Sequence, residues 1–279
     1  MKFILERENI HKILINFDPI IIHSFGFCMA VGILTAFALM VWLGKKNGYT
    51  SEFLSNFVLV LMLSSFVGAR FAYVCEHWTS EFKDNWLQAF NIANGGIMYY
   101  GGFLGAWLGG SIYLLIKKCS VIDVLDLTVT VLPLGHAWGR VGCFLNGCCF
   151  GKVTDCAIGV KYPYHSSVWW AQYSEGLIDK VDKVSLPVVP SQLIEAALNL
   201  LICIILVVLY RRKNRIVGLH MGLYCIMYSA VRFFTETLRS DERMQIGAFS
   251  ISQTISIALM IFGIVMAVWS IKRNKRAEQ

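Results

Sequence analysis

Long apolar runs, each closed by a short polar break, set the pattern of this chain. A bilayer core of about 30 Å is crossed by roughly 20 apolar residues in helical conformation. Seven stretches meet that length, at about 20–43, 54–75, 96–116, 121–143, 189–210, 217–238 and 250–271. The fourth is the most interrupted and carries Asp123, Asp126, Pro133, His136 and Arg140. The pattern predicts an all-α integral membrane protein with a membrane domain over 20–271, an N-terminal segment 1–19 and a basic tail 272–279. The first run is too long for the apolar core of a signal peptide and no small-residue cleavage site follows it, so it is expected to persist as a helix.

Charge orients these helices. Lys45–Lys46, Lys117–Lys118, the cluster Arg211, Arg212, Lys213 and Arg215, and the cluster Lys272, Arg273, Lys275 and Arg276 each follow an odd-numbered run. Seven spans place all four clusters on one side. By the positive-inside rule that side is the cytoplasm, with the N-terminus outside and the C-terminus inside. The outward segments 76–95 and 144–188 are long and hold Trp78, Trp86, Trp169 and Trp170. They are expected to form a small extracytoplasmic cap, its rings either resting among lipid headgroups or lying in ordinary loops.

Composition sharpens this picture. Of 279 residues, 56% are hydrophobic and 15% charged, where a soluble domain carries about a quarter charged residues. That excludes a disordered chain, a basic nucleic-acid-binding domain and most soluble enzymes. Lys and Arg total 25 against 18 acids, a net charge of +7. Much of this surplus lies in the four clusters, so it reads as a topology signal. The nine cysteines are too dispersed for a small disulfide-stapled scaffold.

Glycines recur at four-residue spacing in the third run, at Gly101, Gly105 and Gly109, with Gly102, Ala106 and Gly110 beside them. Stripes of small residues let membrane helices approach closely. Gly105 and Gly109 read as packing positions. Gly101 and Gly102, beside Tyr100, suit either packing or close approach of a ligand.

Ionisable residues inside membrane helices are costly and usually functional. Arg70, Arg140 and Arg232 lie late in outward-running helices, and Glu195 lies early in an inward-running one, so all four fall in the outer half. Arg232, Glu236 and Arg239 share one helical face, as do His136 and Arg140. A lone arginine can snorkel to the interface, Arg232 and Glu236 can neutralise each other, and His136 can be a hydrogen-bonded core residue. Three arginines at similar depth point instead to an anion site open to the outer leaflet. A phospholipid phosphate fits it, because the guanidinium fork meets phosphate oxygens in pairs.

Cys143, Cys148, Cys149 and Cys156 lie in or near the segment Gly139–Gly151. Their spacing lacks the paired CxxC of a zinc site, so no metal is expected. A disulfide among them stays open, since they face an oxidising compartment. Four glycines, at 139, 142, 147 and 151, predict an unwound loop.

The segment Gly139-Arg-Val-Gly-Cys-Phe-Leu-Asn-Gly-Cys-Cys-Phe-Gly151 resembles the signature of the prolipoprotein diacylglyceryl transferase family. Gly95-Gly-Ile-Met-Tyr-Tyr-Gly-Gly102, Gly68-Ala-Arg70, Pro190-Ser-Gln-Leu-Ile-Glu195, Arg232-x3-Glu236-x2-Arg239 and Gln253 resemble further family motifs in the same order. The resemblance implies a bacterial inner-membrane enzyme that moves the sn-1,2-diacylglyceryl group of phosphatidylglycerol to the lipobox cysteine of a preprolipoprotein signal peptide. A thioether forms and glycerol-1-phosphate leaves, with no cofactor and no nucleic acid involved. Arg140 and Arg232 match the family's essential arginines. Arg70, Gly101, Gly102, Asn146, Gly151, Glu195, Glu236 and Arg239 join them as expected lipid-binding residues, and Tyr100 and His136 as expected proton carriers. The chain departs from the family at Tyr100, where some members have histidine, at Cys143, where asparagine is usual, and at Phe25, where a tyrosine is usual. A transporter or channel for an anionic solute is the alternative, and a lipid-binding scaffold a further one.

Overall fold

A computed structural model describes residues 5–6, 13–17, 20–83, 85–91, 95–240, 245–247 and 249–277. Much of the expected N-terminal segment 1–19, part of the 76–95 segment and the last two residues of the basic tail lie outside the described residues.

Among the described residues, long helices occupy α1 (Ser24–Lys45), α2 (Ser51–Glu76), α3 (Tyr99–Ile116), α4 (Val121–Asn146), α6 (Ser191–Tyr210), α7 (Leu219–Leu238) and α8 (Ile251–Ala277), with a short α5 (Ser167–Ser174). Five of them, α1, α2, α4, α6 and α8, are long and apolar enough to cross a membrane, and α3 is a shorter apolar helix. Their outer faces leave large apolar side chains uncovered, among them Leu34, Phe71, Leu115 and Val265. A water-soluble fold buries such a surface, whereas lipid accommodates it.

The all-α architecture carries a few short strand pairs outside its helices. Strand β1 (Leu5–Glu6) pairs in parallel with β4 (Val160–Lys161), and antiparallel pairs join β2 (Ile13–Phe17) to β3 (Ile20–His23) and β5 (Gln245–Ile246) to β6 (Phe249–Ser250). The isoleucines of β2 and β3 favour extended backbone, and pairing satisfies N–H and C=O groups just outside the first helix.

The chain divides into two compact units, Met40–Leu125 and Met1–Leu39 with Asp126–Gln279. In the first, α2 and α3 meet through glycine. A Cβ on Gly105 would overlap the Ser64 carbonyl, and one on Gly101 would overlap the Ala72 side chain and the Gly68 carbonyl. Gly101 and Gly102 are buried in this helix contact. Their open choice between packing and ligand approach therefore resolves to packing.

In the second unit α1 crosses α4 where a Cβ on Gly32 would come 2.9 Å from the Trp138 Cβ. Helices α7 and α8 cross at Gly222 and Gly263, where either added Cβ would meet the other's carbonyl oxygen at 2.8 Å. The segment 147–190 packs with the end of α4 over a core formed by Phe144, Val160, Tyr162, Val168 and Val188. Trp169 is buried beside it, its Nε1–H donating to the Asp182 carbonyl at 2.7 Å. That ring is core, not a headgroup anchor, while Trp170 stays half exposed.

Candidate active site

The centre of the second unit is a buried carboxylate. Glu195 enters in the second turn of α6, just after Pro190 fixes the start of that helix, and its side chain is 2% exposed. Arg140 of α4 places Nη2 2.9 Å from Oε1, Arg232 of α7 places Nη1 3.9 Å from Oε2, and His136 Nε2 stands 3.6 Å from Oε1. The expected i, i+4 pairing of His136 and Arg140 thus puts both on one carboxylate. The His136 ring also rests against Tyr228, with centroids 5.3 Å apart.

Arg232 is held on its other side by Glu236, Nη2 to Oε2 at 2.9 Å. Glu236 accepts from Ser250 Oγ at 2.8 Å, and Arg232 Nη2 donates to Ser252 Oγ at 3.0 Å. Ser250 also accepts from the Gln253 N–H at 3.2 Å, while Gln253 Oε1 takes the Ser250 N–H at 3.0 Å. This reciprocal capping box at the start of α8 fixes both serines on the arginine–glutamate pair. Ser250 and Ser252 were not among the expected site residues. The Ser-x-x-Gln pattern at 250–253 is the signal that locates them.

Two donors in this cluster have no hydrogen-bond partner among the described residues: Arg140 Nε and Arg232 Nη1, both buried. The Arg140–Glu195 contact is close as an ion pair, yet Glu195 Oε1 receives no aligned hydrogen bond. The pairs compensate charge while leaving N–H groups to spare. Buried donors rarely stay unmatched, and an anion with several acceptor oxygens would complete them.

The signature segment is helical for longer than expected. Helix α4 runs through Gly139 and Gly142 to Asn146, and only then does Gly147 turn left-handed at φ +72°. The correction has a packing cause: at Gly142 a Cβ would meet Phe25 at 3.1 Å and Cys28 at 3.2 Å, so this glycine admits α1. Past Asn146 the Gly147 N–H donates to Phe144 O at 3.2 Å and the Cys148 N–H to Cys143 O at 3.1 Å. These 5→2 and 6→1 bonds are a Schellman ending, which folds the chain back on its last turn.

That reversal gathers three sulfurs. Cys143, Cys148 and Cys149 place their Sγ atoms within 4.8 Å of one another. Cys149 itself sits at φ +62°, a region non-glycine residues rarely adopt. Ser191 Oγ donates to the Cys149 carbonyl at 3.0 Å and Gln192 Nε2 to the Cys148 carbonyl at 2.8 Å, so the start of α6 holds the loop in that shape. The Cys149 thiol is driven below its usual range by hydrogen bonds from the Cys143 and Cys148 thiols, with the Arg239 guanidinium beside it adding in the same direction. The Asn146 amide also contacts the Cys148 thiol. The spacing rule that argued against a metal cluster describes loops. It does not cover residues at i, i+5 and i+6 across a helix ending. Cys156 is exposed and outside the trio, and all nine cysteines are free thiols.

Gly151 is a crossing point of backbones. A Cβ there would lie 2.6 Å from the Val189 carbonyl oxygen and 2.8 Å from that of Leu238. It bridges to Arg239, which is buried, and so ties the cysteine loop to the end of α7.

In the first unit, Arg70 donates Nε to Ala89 O at 2.8 Å, Nη1 to Gly95 O and Gly96 O at 2.7 and 2.9 Å, and Nη2 to Gln88 O and Asn91 O at 2.9 and 2.8 Å. All five N–H donors of its guanidinium are thereby engaged by backbone carbonyls that precede α3. Arg70, expected to hold phosphate, clamps these carbonyls. Tyr100 lies in the first turn of α3 and is 61% exposed.

Residues 12–269 match the family model described as prolipoprotein diacylglyceryl transferase. A phosphatidylglycerol–prolipoprotein diacylglyceryl transferase 2 from Clostridium perfringens is 32% identical over 245 residues, 88% of this chain and 90% of that protein. Phosphatidylglycerol–prolipoprotein diacylglyceryl transferases from Pseudoalteromonas atlantica and Photorhabdus laumondii are each 30% identical, covering 96% and 97% of this chain and 92% and 96% of their own lengths. With its motifs in order along the whole match, the chain belongs to the prolipoprotein diacylglyceryl transferase family.

Proposed function

We propose that this protein transfers the sn-1,2-diacylglyceryl group of phosphatidylglycerol to the lipobox cysteine thiol of a preprolipoprotein, releasing glycerol-1-phosphate. The observation that carries the reading is the pair of arginines around Glu195, with Arg140 Nε and Arg232 Nη1 buried and unmatched. The names of the relatives support the substrates. They favour this reading over an anion transporter or channel.

In the reaction the acceptor sulfur supplies the electron pair of a new S–C bond at the glycerol carbon that carries phosphate. The C–O bond breaks and its pair leaves with the phosphate oxygen. Charge grows on that phosphate in the transition state, and preorganised guanidinium donors in a dry site are worth most at that moment. Arg140 and Arg232 are assigned to the phosphate, while Glu195, Glu236, Ser250 and Ser252 hold the two forks in place. Arg239, Asn146 and Gly151 shape the wall next to them. His136 and Tyr100 are the side chains proposed to handle the thiol proton.

A seven-span topology, supported by the basic clusters that follow the odd-numbered runs, goes with a site toward the outer leaflet of a bacterial inner membrane. Purified protein given phosphatidylglycerol and a lipobox peptide is expected to yield the thioether mass increase, and Arg140→Ala and Arg232→Ala to abolish it. Absence of product under conditions where a known transferase of this family works would overturn the function. Full activity in Arg140→Ala would overturn the assignment of the phosphate site. Tyr100→Phe and His136→Ala, compared across pH, identify the proton carrier.

A further inference from the structure

The thiol trio at the end of α4 has no part in the lipid chemistry described so far. Cys143, Cys148 and Cys149 bring three sulfurs within 4.8 Å of one another, and each residue is half-buried, so the cluster is reachable from outside the core. Tetrahedral zinc bound to thiolates at about 2.3 Å needs sulfurs about 3.8 Å apart, within about an ångström of the separation found here. Two independent features hold this arrangement. The Schellman ending sets Cys148 over Cys143, its Sγ 3.7 Å from the Cys143 carbonyl oxygen. Cys149 is kept in the left-handed region while Ser191 holds its carbonyl. Strained backbone of this kind persists only where its surroundings enforce it.

Three thiolates around a divalent cation carry a net charge of −1, and the Arg239 guanidinium beside Cys149 balances it. Three protein ligands also leave one tetrahedral position open, the pattern of catalytic and not structural zinc sites. Cys143 lies one helical turn beyond Arg140, and the Cys143 and Cys149 thiols interact electrostatically with that guanidinium, so the cluster neighbours a donor assigned to phosphate.

We propose that Cys143, Cys148 and Cys149 bind a zinc-class divalent cation, and that its open position takes the thiol of the acceptor peptide as a thiolate. The identity of that acceptor rests on the transferase reading above. The acceptor thiol gives up its proton on binding, through the carrier assigned above, and the metal-bound sulfur then attacks the glycerol carbon while the C–O pair leaves on the phosphate. The thioether product carries no charge, binds the metal weakly and departs. Metal coordination strongly favours the thiolate, so the carrier that takes the proton need not be a strong base.

Full-length protein in detergent is stripped of metal and titrated with Co(II) in place of zinc. One equivalent is expected to bind with thiolate-to-cobalt charge-transfer absorption, and a spectral change is expected when lipobox peptide is added. Cys143→Ser, Cys148→Ser and Cys149→Ser should each weaken binding by at least about tenfold, while Cys156→Ser leaves it unchanged. Transferase activity should fall in chelator and return with Zn(II). Failure of the wild type to bind Co(II) more tightly than the triple serine variant overturns the site. Bound metal with activity indifferent to chelator overturns its catalytic use. Turnover without bound metal leaves the transferase reading standing, whereas bound metal without turnover under any condition counts against that reading alone.

Discussion

Arg140 Nη2 lies 2.9 Å from Glu195 Oε1, the guanidinium 14% and the carboxylate 2% exposed. Neither charge has water at hand to replace its partner. Removing one partner of a buried pair costs about 3–5 kcal/mol, because the other charge is left uncompensated. Arg140→Ala and Glu195→Ala are each expected to lower stability by that amount, and the double variant by clearly less than their sum. Thermal unfolding in detergent measures the cycle, and strictly additive losses would refute the pairing. Arg140→Lys keeps a charge but loses the planar fork. It should fold and lose about a hundredfold or more in turnover.

Arg70 makes a prediction of a different kind, since its partners are all backbone. Water can replace the guanidinium at the exposed Gln88, Asn91 and Gly95 carbonyls, but not readily at the part-buried Ala89 and Gly96. Arg70→Ala is therefore expected to cost about 2 kcal/mol or more and to open residues 85–91 to limited proteolysis. Arg70→Lys, with three donors on one nitrogen, should recover only part of that. Protease resistance unchanged in Arg70→Ala would rule out the clamp.

The contact of α2 with α3 depends on the absence of side chains. Alanine at position 105 would overlap the Ser64 carbonyl and sit 3.0 Å from the Gly68 Cα, both backbone atoms that move only if the helices separate. Gly105→Ala is expected to destabilise by about 1–3 kcal/mol. Gly26→Ala in α1, with nothing within 4 Å of the added carbon, should be neutral or slightly stabilising through helix propensity. Equal melting temperatures for the two variants would remove the close-packing account.

The helices were legible because a run of roughly 20 apolar residues has few other uses. The arginine–glutamate centre was legible too, since charge in such runs demands partners. What the runs could not reveal depends on tertiary geometry. Gly142 and Gly147 look alike in sequence, yet one admits α1 and continues a helix while the other ends it. Arg70 has the same depth signature as Arg140, and only the fold shows one facing a loop and the other a carboxylate. The thiol cluster escaped because it forms across a helix ending, and Ser250 and Ser252 because hydroxyls carry no charge to draw notice.

Asp126, noted in the sequence only as an interruption of the fourth run, supports α7 from another helix. Fully buried in α4, it accepts the Gly218 N–H at 2.6 Å and the Met221 N–H at 2.9 Å, with Arg215 Nη1 3.6 Å and His220 Nδ1 3.9 Å away. A carboxylate at a helix N-terminus satisfies donors that the helix itself cannot and meets the positive end of its dipole. Asp126→Asn keeps one acceptor oxygen and should cost about 1–2 kcal/mol, in the range of a lost cap. Asp126→Ala leaves two N–H groups and the Arg215 charge without it, so about 3 kcal/mol or more is expected. Hydrogen exchange at residues 218–222 should rise sharply in the alanine variant and modestly in the asparagine one. Small and equal effects in the two variants would show that α7 starts without help from α4.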